Sequence, residues 1–270
     1  MALYSEMKIT PYKDICDPSL LEPVPRALNR RELGIEGRLP FRGVDLWTAY
    51  ELSWLDGKGK PWVAMAAFSI PVDSPNLIES KSFKLYLNSL NQTPVASPEA
   101  LRDILIKDLG RACGAPVEVE IVLPGDFGDE QLEELDGEII DGMDVEMRDY
   151  RPNPGLLSAG VPLVEETLVS NLLKTNCPLT GQPDWASIQV RYEGRRIDRA
   201  GLLRYLVSFR QHTGFHEDCT ERIFMDLLHR CRPRGLTVYA RFTRRGGIDI
   251  NPFRTNRGDA PPPNRRTARQ

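Results

Sequence analysis

Hydrophobic and polar positions alternate in two stretches of the first half of the chain, and helical periodicity follows them. VDLWTAYELSWL and PWVAMAAFSIPV are typical of strands, and the DGKGK between them is typical of a turn. Asn76 or Ser74 can cap a first helix, and Ser97 and Pro98 open a second. The pattern predicts the order β-β-α-α-β, with strands over 44–55, 61–72 and 116–124 and helices over 78–90 and 97–113.

The second half repeats this order and adds a strand. Asp198 is placed to cap the first of its helices, and Gly246-Gly247 joins its last two strands. The predicted elements are strands over 166–177, 185–194, 236–245 and 247–253 and helices over 198–214 and 216–233. Because each half supplies a sheet with an apolar face and two helices to cover it, we expect an α+β protein of two tandem modules.

Composition separates these modules from their connecting segments. Residues 125–155 contain eleven Asp or Glu and two Arg, which is typical of a solvated linker or insert. The tail RTNRGDAPPPNRRTARQ is polar and basic, which favours disorder. The predicted organisation is an N-terminal arm over 1–43, a first module over 44–124, the acidic insert over 125–155, a second module over 156–253 and a disordered tail over 254–270.

Bulk properties narrow the class of protein. A net charge of −3 argues against direct binding of nucleic acid, which usually shows as a strong basic excess. No apolar run approaches the roughly 20 residues that span a bilayer, so no membrane partner is expected. The five cysteines are scattered without a CxxC pair, and the first residues do not resemble a signal peptide. These features predict a cytoplasmic protein.

The stretch TNCPLTGQPDW, residues 175–185, carries the first candidate chemistry. Two prolines and Gly181 stiffen a short loop that presents Cys177 seven residues before Asp184. A nucleophilic thiol and a carboxylic acid held at a set separation would suit covalent catalysis. Taken alone, the pair leaves another interpretation open, because most free cysteines are small buried hydrophobic residues.

A second cluster, GFHEDC, lies at the predicted start of a helix. Glu217 and Asp218 suit the first turn of any helix, because acidic residues there favour the helix dipole. His216 and Cys219 are three residues apart and, with Cys177, would supply three ligands of a catalytic zinc. The sequence offers no histidine or CxxC pair nearby as a fourth zinc ligand, so thiol catalysis is preferred to a zinc site.

Charged and glycine-rich motifs suggest contacts with a ligand. ESKSFKLYLNS places Glu79, Lys81 and Lys84 on a predicted helix, where the carboxylate suits the N–H groups of a heterocycle and the lysines suit an anion. RRGG at 244–247 is either a hairpin turn or a phosphate contact. Neither GxGxxG after a strand nor GxxxxGK[ST] is present, which argues against Rossmann and P-loop nucleotide sites.

Longer motifs resemble a known family. ESKSFKLYLNSLNQT, KTNCPLTGQPDWASIQVRY, FHEDCTERIF and GGIDINPFRTN, together with DPSLLEPVPR and WTAYELSWL, are similar to the NADPH-dependent 7-cyano-7-deazaguanine reductases of queuosine biosynthesis. The resemblance runs from about residue 10 to 256 and is closest to the longer, two-module proteobacterial type.

The resemblance implies a tunnelling fold, or T-fold, of two tandem β-β-α-α-β-β modules. Their antiparallel sheets form a barrel with the helices outside, and a homodimer or higher homo-oligomer closes the ring. NADPH is implied as the cosubstrate, two per turnover, and no metal is expected. A zinc-dependent GTP cyclohydrolase shares this fold, so a zinc-dependent pterin or purine hydrolase remains an alternative, as does a non-catalytic purine-binding module.

The resemblance also implies roles for particular residues. Cys177 would add to the nitrile carbon to form a covalent thioimide, Asp184 would protonate the nitrogen, and His216 would assist proton transfer. The expected substrate contacts are Glu79, Ser80, Lys81, Phe215, His216 and Glu217. The expected NADPH contacts are Lys81, Ser82, Arg245 and Gly246.

Overall fold

A computed structural model describes residues 12–270 and joins the two halves of the chain in one sheet. The strands are β1 Pro23–Pro25, β2 Arg42–Leu55, β3 Pro61–Pro71, β4 Asn76–Ile78, β5 Glu118–Val122, β6 Glu138–Ile139, β7 Ala159–Asn176, β8 Pro183–Ile197, β9 Gly235–Phe242 and β10 Ile248–Thr255. The helices are α1 Arg26–Glu32, α2 Ser80–Asn88, α3 Pro98–Cys113, α4 Arg199–Ser208 and α5 His216–Cys231.

Eight strands form the main sheet in the order β5-β3-β2-β10-β9-β8-β7-β6. Neighbouring strands run antiparallel except for the two-residue β6, which lies parallel to β7. Strands β1 and β4 form a separate antiparallel pair. These features confirm the α+β class. Among residues 12–270, no helix is both long and apolar enough to cross a membrane.

Each half has its own hydrophobic core. In the first half, Phe83 of α2 packs against Trp47 of β2 and Phe68 of β3, with ring centroids 5.2 and 5.1 Å apart. In the second half, Tyr205 and Phe209 lie in a core that α4 and α5 form with β7, β8 and β9. Fully burying one such side chain contributes about 1.5–3 kcal/mol, so each module stabilises its own sheet–helix layer.

Strands β2 and β10 form the seam between the halves. Eight residue pairs, from Ile248 opposite Ala49 to Thr255 opposite Arg42, align in one register. The chains approach closely at Gly43, where a Cβ atom would lie 1.9 Å from the carbonyl oxygen of Phe253. A larger residue at position 43 would therefore push the two modules apart.

A buried ion network crosses this seam. Arg254 on β10 is fully buried and lies between Asp45 of β2, at 2.8 Å, and Glu221 of α5, at 3.0 Å. Arg26 of α1 binds Asp45 at 2.6 Å, and Arg30 of α1 binds Glu221 at 2.8 Å. Burial acts to raise the pKa of both carboxyl groups, but the arginines outweigh it and hold each pKa below its ordinary value.

The predicted elements differ from the observed ones mainly at their ends. Glu79, rather than Asn76 or Ser74, is the N-cap of α2, because residues 76–78 pair with β1 as strand β4. Strand β7 begins at Ala159 instead of residue 166, and α4 ends at Ser208 instead of 214. Pairing across β7 and β8 extends these strands beyond the alternating residues from which they were predicted.

The prediction of a disordered tail over 254–270 differs from the structure. Residues 254 and 255 belong to β10, and the rest of the tail packs on the sheet. The side-chain amide of Gln270 donates to Asn251 Oδ1 at 2.7 Å and to the Phe242 carbonyl at 2.8 Å. Asn264 donates to Thr48 Oγ1 at 3.0 Å. The tail is ordered because its polar groups meet buried polar partners.

Part of the acidic insert also packs instead of being solvated. The amide of Glu133 donates to the Arg266 carbonyl at 3.0 Å, and Arg265 Nη1 lies 2.7 Å from Glu133 Oε2. Ile140 is buried in the core of the second half. The acidic insert and the basic tail therefore contact each other through an ion pair and a backbone hydrogen bond, which neither segment indicated by its own composition.

Replacing Arg254 with methionine should destabilise the fold by about 3–5 kcal/mol, because Asp45 and Glu221 would both lose a buried partner. The free energy of unfolding in urea measures this loss. Arg148→Met removes an exposed arginine that pairs only with the exposed Glu146, and it should unfold like the parent. Equal stability of the Arg254 variant and the parent would contradict the importance of the seam network.

Candidate active site

Cys177 and Asp184 lie on one face of the β7–β8 hairpin. Thr175 pairs with Asp184 across the ladder, so Cys177, two residues after Thr175 and one beyond the end of β7, is the diagonal neighbour of Asp184. The amide of Cys177 donates to the Gln182 carbonyl at 2.9 Å, and the amide of Gly181 donates to the Cys177 carbonyl at 3.0 Å. Gly181 has φ +68°, a conformation that favours glycine. One rigid turn thus connects the thiol of Cys177 to the strand that carries the carboxyl group of Asp184.

His216 reaches the hairpin because the segment before α5 is bound to it. Asn176 donates its amide to the His212 carbonyl at 2.8 Å and accepts the Gly214 amide at 3.2 Å. Helix α5 begins two residues later, and His216 Nε2 lies 3.8 Å from Asp184 Oδ1. The imidazole packs edge-on against Phe242, with ring centroids 4.2 Å apart. The carboxyl group therefore has the thiol and the imidazole as neighbours.

Arg245 joins the same group from the β9–β10 turn. Gly246 and Gly247 have φ of 63° and 74°, and this tight turn directs the Arg245 side chain back to the hairpin. Its Nε and Nη2 lie 3.1 and 3.0 Å from Asp184 Oδ1. Its Nη1 donates to Gln182 Oε1 at 2.9 Å. The guanidinium therefore binds two residues at the β8 end of the hairpin turn.

Helix α2 of the first half brings further predicted residues to the site. The Glu79 carboxylate accepts the amides of Lys81 and Ser82 at 2.8 and 2.6 Å and so caps the helix. One turn later, Lys84 lies against the Gly246 turn, where a Cβ atom would be 3.1 Å from Lys84 Cδ. The first half thus contributes a cation to the neighbourhood of Cys177.

The predicted contacts on α2 differ in their exposure. Ser82 is buried, and its hydroxyl donates to the Glu79 carbonyl at 2.7 Å and accepts the Glu22 amide at 3.0 Å. Ser80 is also buried, whereas Lys81 is exposed. Ser82 therefore has a structural role at the start of α2, and its contact with the cofactor stays a prediction.

The charges of the site follow from burial and from these contacts. Burial raises the pKa of Cys177, but hydrogen bonds from Thr180, from the turn amides and from Arg245 outweigh it and leave the pKa below its ordinary value. Burial raises the pKa of Asp184 more than Arg245 lowers it. The site therefore makes the thiolate of Cys177 easier to form than that of an ordinary cysteine, beside a carboxyl group that holds a proton more readily than usual.

His216 carries no charge in this setting. Burial, and then the positive charges of Arg245 and Lys84, lower the pKa of His216 to about 3. The imidazole is neutral near pH 7 and so has one donor nitrogen and one acceptor nitrogen. It can pass a proton along a hydrogen bond, but it is not the acid of the site.

Phe215 and Glu217 flank His216 at the start of α5. Phe215 is the half-buried N-cap residue. Glu217 is 2% exposed, and burial, followed by the charge of Asp45, raises its pKa to about 8. Their contacts with the base of the substrate stay predictions.

Two family models match the chain. One is described as "Nitrile reductase, 7-cyano-7-deazaguanine-reductase N-term" and matches residues 12–121. The other is described as "QueF-like protein" and matches residues 183–260. A Bordetella pertussis protein named NADPH-dependent 7-cyano-7-deazaguanine reductase is 62% identical over 96% of this chain and 95% of its own. This chain belongs to that reductase family.

A Burkholderia multivorans member of this reductase family, with the same name, is 59% identical to the chain over 97% of each sequence. One solved structure, the archaeosine synthase QueF-Like in the apo form, aligns with 37% of this chain and 99% of its own, at 17% identity and a TM-score of 0.32. A likeness of that size supports no statement about the fold.

The alternative zinc site does not assemble. Cys219 is fully buried in the hydrophobic core of the second half, and burial raises its pKa well above the ordinary value, so it is a protonated thiol. Across residues 12–270, no three His, Cys, Asp or Glu side chains are grouped as metal ligands would be. Cys177, His216 and Cys219 therefore do not form the ligand set that their spacing suggested.

Two residues of the site were not among the substrate and cofactor contacts that the resemblance implies. Lys84 was a candidate from the sequence only as a lysine that, like Lys81 one helical turn before it, suits an anion. Gln182 became apparent only through its contact with Arg245. A cavity of about 520 Å³ at the far end of α5 contains neither residue and is instead lined by Arg195, Arg230, Arg232 and Arg234, among others. Chemistry, rather than cavity size, identifies the candidate active site of this reductase-family chain.

The imidazole of His216 should remain neutral between pH 5 and pH 8, because its pKa is lowered to about 3. Its NMR signal, assigned by its loss in His216→Gln, should therefore not shift over that range. In the urea-unfolded chain the same residue should titrate near its ordinary pKa of about 6.5. A folded-state midpoint between pH 6 and pH 7 would contradict this account.

Proposed function

We propose that this chain reduces the nitrile of 7-cyano-7-deazaguanine to 7-aminomethyl-7-deazaguanine with NADPH, in tRNA queuosine biosynthesis. The name shared by its relatives supports both the substrate and the cosubstrate. Within the chain, one observation carries the proposal: Cys177, with a lowered pKa, lies diagonally beside Asp184, with a raised pKa, on a rigid turn. Nitrile addition needs such a nucleophile and such an acid together.

The first step joins Cys177 to the substrate. The thiolate sulfur donates an electron pair to the nitrile carbon, and one carbon–nitrogen π bond breaks as the carbon–sulfur bond forms. Asp184 gives its proton to the nitrile nitrogen, so the product is a neutral thioimide bound to Cys177. The thioimide accepts a hydride more readily than the free nitrile does, which is the advantage of covalent catalysis here.

The later steps release Cys177 and regenerate the acid. NADPH, when bound, supplies one hydride to the thioimide carbon and one to the imine that follows. Between these reductions the carbon–sulfur bond breaks, and the sulfur of Cys177 leaves with the electron pair. Asp184 takes up protons from solvent and delivers them to the nitrogen, with neutral His216 as its hydrogen-bonded neighbour. Two hydrides and two protons convert the nitrile into the amine.

We propose that Glu79, Ser80, Lys81, Phe215, His216 and Glu217 bind the substrate. The Glu79 carboxylate and the carboxyl oxygens of Glu217 would accept N–H groups of its guanine-like edge, and Phe215 would stack on its ring. Glu79 already accepts two α2 amides, but a carboxylate has roughly four lone-pair positions, so it retains capacity for the base. The burial of Glu217 would strengthen such a contact, since it excludes competing water.

The cofactor residues fit an anionic ligand. Lys81 is exposed at the first turn of α2, and Gly246 lies in a left-handed turn that exposes backbone amides. Arg245 uses three of its five N–H donors on Asp184 and Gln182 and also hydrogen-bonds to Cys177, so at least one donor remains. We propose that these residues, with Ser82, hold NADPH, and that Arg245 or Lys81 meets its phosphates.

We further propose that the two modules, 44–124 and 156–253, are tandem T-fold units and that a second copy of the chain completes their barrel. All four long helices pack in the two cores on one side of the sheet, which supports a barrel with helices outside. Val161 and Leu163, near the β6 edge of the sheet, are 87% and 64% exposed, which supports burial against a second copy. All five cysteines are free thiols, which supports a cytoplasmic location.

Mixing the protein with 7-cyano-7-deazaguanine in the absence of NADPH should add the full mass of the nitrile, because addition expels no leaving group. Intact-protein mass spectrometry detects the adduct, and NADPH should discharge it. Cys177→Ala should form none, whereas Cys16→Ser, which changes a half-buried cysteine in the N-terminal arm, should form it normally. An adduct in the Cys177→Ala variant would overturn the proposal. So would a parent protein that neither forms the adduct nor consumes NADPH.

Asp184→Asn should lower the turnover number by about 10²–10⁴-fold, the usual contribution of a positioned general acid. The amide is similar in size but has no proton of suitable acidity. Steady-state oxidation of NADPH measures the loss. Asp103→Asn alters an exposed carboxylate on α3 and should retain the parental rate. Normal turnover in the Asp184 variant would assign the proton donor to another group.

A further inference from the structure

Arg245 makes more contacts with the hairpin than a cofactor contact would require. Its guanidinium binds Asp184 through two nitrogens and Gln182 through the third. Gln182 in turn accepts the amide of Cys177 through its backbone carbonyl at 2.9 Å. The side chain is about 29% exposed, so these charge-assisted bonds are only partly open to water. Arg245 therefore connects the acid, the turn and the nucleophile.

Lys84 reaches the same place from the other half of the chain. It lies on α2, packed against the Gly246 turn, and it is half-buried. Burial lowers its pKa, as does the nearby charge of Arg245, while Glu79, Asp184 and Cys177 favour its charged form. A half-buried lysine beside an arginine is unfavourable unless anions lie between them. Glu79, the Cys177 sulfur and, when it is ionised, Asp184 are the anionic groups in reach.

We propose that Arg245 and Lys84 form a cationic clamp that holds the Cys177 sulfur as a thiolate beside Asp184. Both act as positioning residues, Arg245 from the second half and Lys84 from the first. This inference deepens the proposed function and rests on it, since it assigns the activation of the same nucleophile. It also gives the first half a part in the chemistry of a cysteine that the second half carries.

The charges around the sulfur explain why a clamp is required. An ionised Asp184 alone would oppose a thiolate on the same face of the hairpin. His216, on α5, is neutral and offers no compensating charge. Lys174 of β7 adds a weaker positive influence on Asp184, behind those of Arg245 and Lys84. Arg245 and Lys84 therefore supply the charge that favours the anionic sulfur.

The clamp is tested by the rate at which iodoacetamide alkylates Cys177 at different pH values, without substrate or cofactor. Peptide mapping by mass spectrometry separates Cys177 from the other four cysteines. Arg245→Gln should lower the alkylation rate at pH 7 by about tenfold or more, the effect of removing one adjacent opposite charge. Lys84→Met should lower it in the same direction, and in both variants the pH midpoint should rise.

Two further variants separate charge from geometry. Arg245→Lys restores a cation without the planar fork, so it should recover much of the alkylation rate while turnover remains low. Arg244→Gln removes the exposed neighbour that stacks over Tyr50 at 4.9 Å, and its alkylation profile should match the parent. Unfolding in urea confirms that each variant is folded before its profile is compared.

The outcomes distinguish this inference from the proposed function. Unchanged alkylation profiles in folded Arg245→Gln and Lys84→Met would overturn the clamp, even if the nitrile adduct forms as proposed. Shifted profiles would support the clamp independently of the reaction, because alkylation requires neither nitrile nor NADPH. If the adduct failed to form while the profiles shifted, only the identity of the substrate would be wrong.

Discussion

The position of Arg254 between Asp45 and Glu221 is the interaction on which the rest of the structure depends. It lies where β10, the last strand of the second half, pairs with β2, the first long strand of the first half. A buried charge is costly unless it is paired, so the network is satisfied only when β2, β10 and α5 are all in place. Each half has its own core, but this seam sets their relative position.

The candidate active site is a consequence of that seam. Cys177 and Asp184 come from a hairpin of the second half, whereas Lys84 comes from a helix of the first half. They meet because the Gly246 turn, which ends at β10, lies against α2. Burial alone would favour a neutral thiol, and hydrogen bonds from Thr180, from the turn amides and from Arg245 counter this effect. The same burial keeps His216 neutral and raises the pKa of Asp184 above its ordinary value.

The second face of the sheet shows how distant segments satisfy each other. Arg241 is 2% exposed, and its guanidinium binds Gln270, Asn264 and the hydroxyl of Tyr239. Composition described the tail as basic and the insert as acidic, and each segment by itself favours solvation. Their order comes from pairing with each other and with polar groups of the sheet. A local sequence pattern does not predict interactions of this kind, because the partners are far apart in sequence.

The sequence by itself determined the order of strands and helices, the α+β class, and the motifs that place the chain in its reductase family. It also made Cys177 and Asp184 candidates, because the stiff turn between them is encoded within a few residues and its motif resembles that family. Only the tertiary structure decided that Glu79 caps α2, that Arg245 faces Asp184, and that Lys84 lies against the Gly246 turn. Local propensity acts over a few residues, whereas charge and burial act between neighbours in space, which only the folded chain brings together.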